Sequence, residues 1–167
     1  YLADYVKVIN KKTKILVIPN GVDLKNFWAK GNENLEIINL KEKLGIKGNE
    51  RVIVTVSRLV PKNGINDLIE AVAKVKNQIP ETKLLILGDG ELLEDLKSKV
   101  NQLGLDNVIL FLGEISHQDL PKYLKIADVF VRPSKSEGLG SAFLEAMAVG
   151  VPIIGTKVGG IPDFLSD

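Results

Sequence analysis

From residue 51 onward, short runs made almost wholly of apolar residues alternate with stretches whose apolar residues recur every three or four positions. The runs are 52–56, 84–87, 108–112, 128–131 and 151–154. A strand that is apolar at successive positions is buried on both faces, and a parallel sheet covered by helices on each side supplies that environment. The intervening stretches read as helices. Ile65, Leu68, Ile69, Val72, Val75 and Ile79 make one apolar stripe; Leu92, Leu93, Leu96, Val100 and Leu103 make a second. Leu120, Tyr123, Leu124 and Ala127 make a third, with Ser116 placed to cap it, and a last helix spans 141–149 ahead of Gly150. With short connections and right-handed crossovers, this alternation predicts an α/β fold with a doubly wound, mostly parallel, Rossmann-like sheet.

Upstream, the pattern is less regular. An apolar run at 14–18 ends at Pro19-Asn20-Gly21, residues with turn chemistry. Residues 31–34 read as a loop and 35–44 as a short helix ahead of Gly45. Trp28 reads as a packing residue or as a contact to another domain. The 167 residues suffice for one domain, 1–167, and there is no internal repeat. Lys plus Arg is 22 against 21 for Asp plus Glu, so the net charge of +1 gives no reason to expect nucleic acid as a partner. The absence of cysteine excludes disulfides and thiolate metal sites, and no metal or cofactor is expected. No apolar run reaches the ~20 residues of a membrane span. The chain begins without Met and runs to Asp167 with no evident stop, which reads as a piece of a longer protein.

In doubly wound sheets, ligands bind beyond the carboxyl ends of the strands. The segment Pro133-Ser134-Lys135-Ser136-Glu137-Gly138-Leu139-Gly140-Ser141-Ala142-Phe143-Leu144-Glu145 leads from such an end into a helix. A helix start presents free backbone N–H groups and a partial positive charge, and Gly138 and Gly140 let an oxygen-rich ligand come close. Gly138, Leu139, Gly140 and Ser141 are therefore the candidate diphosphate loop. Carboxylates suit sugar hydroxyls better than phosphate, so Glu137 and Glu145 are candidate sugar contacts. Arg58 and Lys62 follow the 52–56 strand and could hold phosphate, Arg by two parallel hydrogen bonds and Lys as a mobile point charge. Each of these has a plainer reading as a solvated surface charge. His117, the sole histidine, reads as a surface residue in a helix first turn, within a Ser116–Asp119 capping box.

Ile18-Pro19-Asn20-Gly21-Val22-Asp23, Ser57-Arg58-Leu59, Leu87-Gly88-Asp89-Gly90, the segment from Glu137 to Glu145, and the tail with Gly150-Val151-Pro152 and Val158-Gly159-Gly160-Ile161-Pro162 occur in that order. Together they resemble the family-4 (group 1) glycosyltransferases of the GT-B fold, from about Ile15 to Leu165. The resemblance implies a C-terminal, donor-binding domain. In it, Glu145 would take the ribose hydroxyls and Glu137 would face the transferred hexose as the catalytic residue. Gly138 to Ser141 would meet the diphosphate or sugar, Arg58 and a Lys would clamp the diphosphate, and Glu114 and Ile115 would border the nucleoside. The family places its clamp Lys five residues after the Arg, where this chain has Asn63; Lys62 lies one residue earlier. Either Lys62 reaches the phosphate from a shifted position or Asn63 serves as a neutral partner.

The function implied is retaining transfer of a hexosyl group from a nucleoside diphosphate sugar, with this chain alone inactive. The acceptor, and any membrane contact, would belong to an N-terminal domain outside this chain. The implied setting is cytoplasmic, with room for a peripheral position at the inner membrane face. A nucleotide-sugar epimerase domain and a non-catalytic nucleotide-binding module are the alternatives.

Overall fold

The computed structural model describes residues 2–16, 18, 20–27 and 33–166. Its strands are β1 (Arg51–Val56), β2 (Thr82–Leu87), β3 (Ile109–Gly113), β4 (Val129–Arg132) and β5 (Ile153–Gly155). Its helices are α1 (Leu2–Ile9), α2 (Leu24–Phe27), α3 (Glu33–Lys43), α4 (Ile65–Gln78), α5 (Leu93–Gln102), α6 (Leu120–Lys125) and α7 (Ser141–Ala148). The five strands form one parallel sheet in the order β3-β2-β1-β4-β5.

The runs that form β1 to β4 are almost wholly apolar because each of these strands feeds two cores, whereas in the edge strand β5 Ile153 packs inward and Ile154 is exposed, so the expected burial on both faces does not hold there. On one face Val52, Val54, Leu85, Leu87 and Phe130 pack with Leu124 of α6 and Phe143 and Ala146 of α7. On the other, Ile53, Leu84 and Ile86 meet Ile65, Leu68, Ile69 and Val72 of α4 and Leu96 and Val100 of α5. Alternation along the pleat sends neighbours in sequence to opposite cores.

The chain builds outward from β1 through β2 to β3, then returns to the other side of β1 for β4 and β5. The reversal opens a crevice between the carboxyl ends of β1 and β4. Their paired register is short, Ile53 with Val129 and Val54 with Phe130. Asp128 lengthens the seam: its carboxylate accepts the Val52 N–H at 2.8 Å and pairs with Arg51 at 3.1 Å.

Several local expectations need correction. Glu33 and Asn34 belong to α3 and not to a loop; Gly31 and Trp28 lie outside the described residues, as do Val17 and Pro19 of the upstream run. The described part of that run forms no strand, and Leu16 and Ile18 are exposed. Asn20 and Gly21 sit in irregular chain leading to α2. Ser116 is not the N-cap of α6, which begins at Leu120 with Pro121 in its first turn. Ser116 instead closes the preceding turn: its hydroxyl accepts the Asp119 N–H at 3.1 Å and donates to the Asp119 carboxylate at 2.7 Å.

Phe130 is fully buried and meets Phe143 edge-on at 5.5 Å. Phe130→Ala should therefore lower stability by about 3–5 kcal/mol, as for other large-to-small changes at buried aromatics. Urea unfolding followed by far-ultraviolet circular dichroism measures this, and a loss below about 1 kcal/mol would contradict the packing described.

Candidate functional site

Beyond β1 the chain turns sharply. Ser57 is buried and Leu59 fully so, which anchors the loop and leaves Arg58 between them exposed. The Leu59 N–H donates to the Asp89 carbonyl at 2.9 Å, tying this loop to the turn after β2. A 3-10 turn, Pro61–Asn63, then leads into α4. Asn63 is only 2% exposed, and its Nδ2 donates to the Arg58 carbonyl at 2.8 Å. It braces the loop from within, whereas Lys62 stands in solvent.

Gly64 follows with φ of 69°, and a Cβ there would overlap the Pro133 carbonyl oxygen. Backbone thus lies directly on backbone between the β1 and β4 loops, and the Lys135 N–H donates across the same seam to the Lys62 carbonyl at 2.7 Å. On the far side of the β4 loop the contact recurs. Gly159 has φ of 56°, a Cβ there would overlap the Glu137 carbonyl oxygen, and the Gly160 N–H donates to the Gly138 carbonyl at 2.9 Å. The Val158-Gly159-Gly160 element is thereby a clamp on the segment that carries Glu137.

Glu137 itself is held inward. One carboxylate oxygen accepts the Gly138 N–H at 3.1 Å. The other takes the Ser134 hydroxyl at 3.4 Å and an ion pair with Arg132 at 2.6 Å, both side chains of that pair being 13% exposed. The Arg132 guanidinium also lies over the Phe143 ring, 5.9 Å from its centroid. Burial pulls Arg132 below its ordinary value, opposed by the carboxylates of Glu137 and Glu145. A guanidinium stays cationic regardless.

Gly140, φ 73°, precedes α7, and no side chain caps the helix start, so Gly138, Leu139, Gly140 and Ser141 lead into an open helix end. Glu145 lies in the second turn of α7 and is 9% exposed. His117 reaches it, Nε2 to Oε1 at 3.3 Å, while its ring stands edge-on to the buried Phe27 at 5.6 Å. His117 is thus exposed as expected but sits in the turn before α6, touching a candidate site residue.

These elements enclose a cleft of about 390 Å³, lined among others by Ser57, Arg58, Asp89, Glu114, Ile115 and Arg132. The fold brings Arg58, Glu114 and Ile115 together there, with α7 reaching the lining through Ala142; Lys62, Glu137, Gly138, Leu139, Gly140, Ser141 and Glu145 are not among the lining residues. Arg132 was absent from the sequence-based site. The available signal was its position at a strand end, five residues before Glu137, in a cleft otherwise short of cations. A second hollow of about 350 Å³ lies between Asn20, Gly21, Val22 and Leu24 and the outer side of α7 at Leu144, Met147 and Ala148. Among the described residues, no three His, Asp or Glu side chains gather as metal ligands, and no helix is long and apolar enough to cross a membrane.

Residues 36–167 match the family model described as glycosyl transferases group 1. The chain is 34% identical over 157 residues to a GDP-mannose-dependent alpha-(1-6)-phosphatidylinositol monomannoside mannosyltransferase of Mycolicibacterium smegmatis, covering 90% of this chain and 40% of the relative. It is 42% identical over 151 residues to an Escherichia coli UDP-Gal:alpha-D-GlcNAc-diphosphoundecaprenol alpha-1,3-galactosyltransferase, covering 88% and 38%. Among solved structures, it superposes on Anabaena HepE in complex with UDP-glucose with a TM-score of 0.80 at 30% identity, over 91% of this chain and 41% of that one. The C-terminal domain of a group 1 glycosyl transferase family protein from Francisella tularensis gives a TM-score of 0.72 at 29% identity, over 88% of this chain and 76% of that one. The chain thus spans about two fifths of the length of the curated relatives named here.

The clamp around Glu137 predicts a contrast between two glycines. Gly159→Ala must place a Cβ on the Glu137 backbone in a left-handed conformation, so it should cost more than about 1–2 kcal/mol. Gly138→Ala meets nothing within 4 Å and should stay within about 0.5 kcal/mol of the parent. Denaturant melts of the two variants check this, and equal losses would overturn the account of the clamp.

Proposed function

The chain belongs to the group 1 glycosyl transferases, and from that premise we propose that it is the donor-binding domain of a retaining hexosyltransferase that uses a nucleoside diphosphate sugar. The observation that carries this reading is the cleft at the β1–β4 reversal, whose lining joins Arg58 and Arg132 to Ala142 in the first turn of the uncapped helix α7. Two guanidinium groups and free helix amides form a field for a diphosphate in a chain whose net charge is only +1. The names of the relatives agree with such a donor, one using GDP-mannose and another UDP-Gal. The same names specify alpha linkages in the products; since these nucleotide sugars are themselves alpha-linked, retention of configuration is the matching outcome.

In the proposed reaction the bond between the anomeric carbon and the diphosphate oxygen breaks, the acceptor hydroxyl oxygen forms the new bond and gives its proton to the departing diphosphate, and the nucleoside diphosphate leaves. Arg58 and the amides of residues 138–141 stabilise the charge growing on the leaving diphosphate. Lys62 stands in solvent and supplies at most a long-range charge, and Asn63 is committed to bracing the loop. Glu145 receives the ribose hydroxyls, with His117 at its outer oxygen. Glu114 and Ile115 border the base. Glu137 faces the hexose and the positive charge developing on it, a positioning and electrostatic role as the catalytic residue. The acceptor, and the cytoplasmic setting, belong to the same proposal and to the longer protein. No metal or further cofactor enters it.

Binding to the isolated chain tests the assignment. Glu145→Ala should weaken both UDP and UDP-glucose, or the GDP and GDP-mannose pair, by roughly tenfold, the loss of a shielded charge-assisted hydrogen bond. Arg58→Ala should weaken the nucleoside diphosphate but leave the bare nucleoside nearly unchanged. Calorimetric titration would sink the phosphate assignment if nucleoside and diphosphate suffered equally. Acceptor-dependent transfer by this chain alone would overturn the domain reading.

A further inference from the structure

We propose that Arg132 is a positioning residue of the donor site, acting on the sugar through Glu137. This rests on the reading of Glu137 as the sugar-facing carboxylate. Glu137 lies within a glycine-bearing segment that has no regular structure of its own, from 133 to 140. A carboxylate there would ordinarily turn to solvent. Arg132 prevents this with a 2.6 Å ion pair in which both side chains are largely buried. The guanidinium is itself immobilised: β4 supplies its backbone, the Phe143 ring lies against one face, and it borders the cleft floor. Its reach is through one carboxylate oxygen, so the other remains on the Gly138 N–H and the plane of the carboxylate is set from two sides.

Charge gives a second reason. Glu137 and Glu145 are two carboxylates close enough to act on Arg132 electrostatically. A cation beneath them offsets that negative field without itself occupying the space of the ligand. The Arg132 Nε is buried and has no hydrogen-bond partner. The side chain is therefore held by its ion pair and its ring contact and not by a full set of hydrogen bonds, which makes Glu137 its principal partner. Removing Arg132 should free Glu137 to rotate outward and leave the carboxylate misaligned for the hexose.

The test is a double-mutant cycle on the chain, with UDP and UDP-glucose as one probe pair and GDP and GDP-mannose as the other. The quantity read is the ratio of nucleotide-sugar to nucleotide affinity, together with the melting temperature. Arg132→Met and Glu137→Gln should each lower the ratio by about tenfold, and the double variant should lower it no further. Arg132→Lys should recover part of the ratio because the cation returns, though without the planar fork. The double variant also guards against misfolding, since removing both charges avoids a lone buried one. If Glu137→Gln lowers the ratio and Arg132→Met does not, or if the two losses multiply, the role of Arg132 is overturned while that of Glu137 stands. If neither variant moves the ratio, the sugar-facing reading of Glu137 falls, and the role of Arg132 with it. A loss in Arg132→Met that follows melting temperature alone and is equal for nucleotide and nucleotide sugar marks a structural residue and also overturns the proposal.

Discussion

At the carboxyl end of the sheet, neighbouring loops lie against each other backbone to backbone, and the placement of the candidate site residues follows from that. The 57–64 loop rests on the turn after β2 through Leu59 and on the β4 loop through Gly64. The β4 loop rests in turn on Gly159 and Gly160. Each seam is closed by main-chain atoms, so no rotamer change can loosen it. The two cores beneath fix the strands, and the strands deliver the loops at one parallel spacing. A parallel sheet is thus a device for placing turns that are remote in sequence at fixed separation, and here it brings Arg58 and Arg132 to one cleft.

The electrostatics of the cleft follow from which element carries which charge. Glu145 is on a helix and Glu137 on a loop, with Arg132 on a strand acting electrostatically with both. Buried charges are tolerated only when compensated, and the 2.6 Å pair provides this for Glu137. Glu145 has a weaker companion in His117, whose ring is more than half exposed. The two carboxylates therefore sit in unlike surroundings, one paired with a buried guanidinium and one beside a half-exposed imidazole.

Much of this was legible along the chain. The positions of β1 to β4 follow from apolar runs because burial on two faces leaves few polar positions, and α4 and α5 follow from their stripes. The motif around Glu137 and Glu145 follows from the chemistry of a strand-to-helix turn. Contacts across the fold were not legible. Nothing local links His117 to Glu145, 28 residues apart, or predicts that Asn63 turns inward to the Arg58 carbonyl. Arg132 was nearer to view, but as the end of a strand it gave no sign of which way its side chain would turn. The role of Gly159 also depends on what lies opposite, the Glu137 carbonyl, and sequence does not show that. Ser116 misled because a capping box resembles the turn that precedes a helix, and Pro121 set the helix start instead.

The loop after β3 differs from its neighbours. Glu114 is exposed, Ile115 half-buried, and a Cβ on Gly113 would meet nothing within 4 Å. This rim is joined to the sheet by its strand and by the Gly88–Gly113 bridge. Mechanically the cleft has one wall braced by main-chain seams and one rim carried by a strand end. Under the proposed function the braced wall holds the diphosphate and the rim borders the base. A side chain exchanged on that rim would alter what the base meets without disturbing the seams that hold the wall.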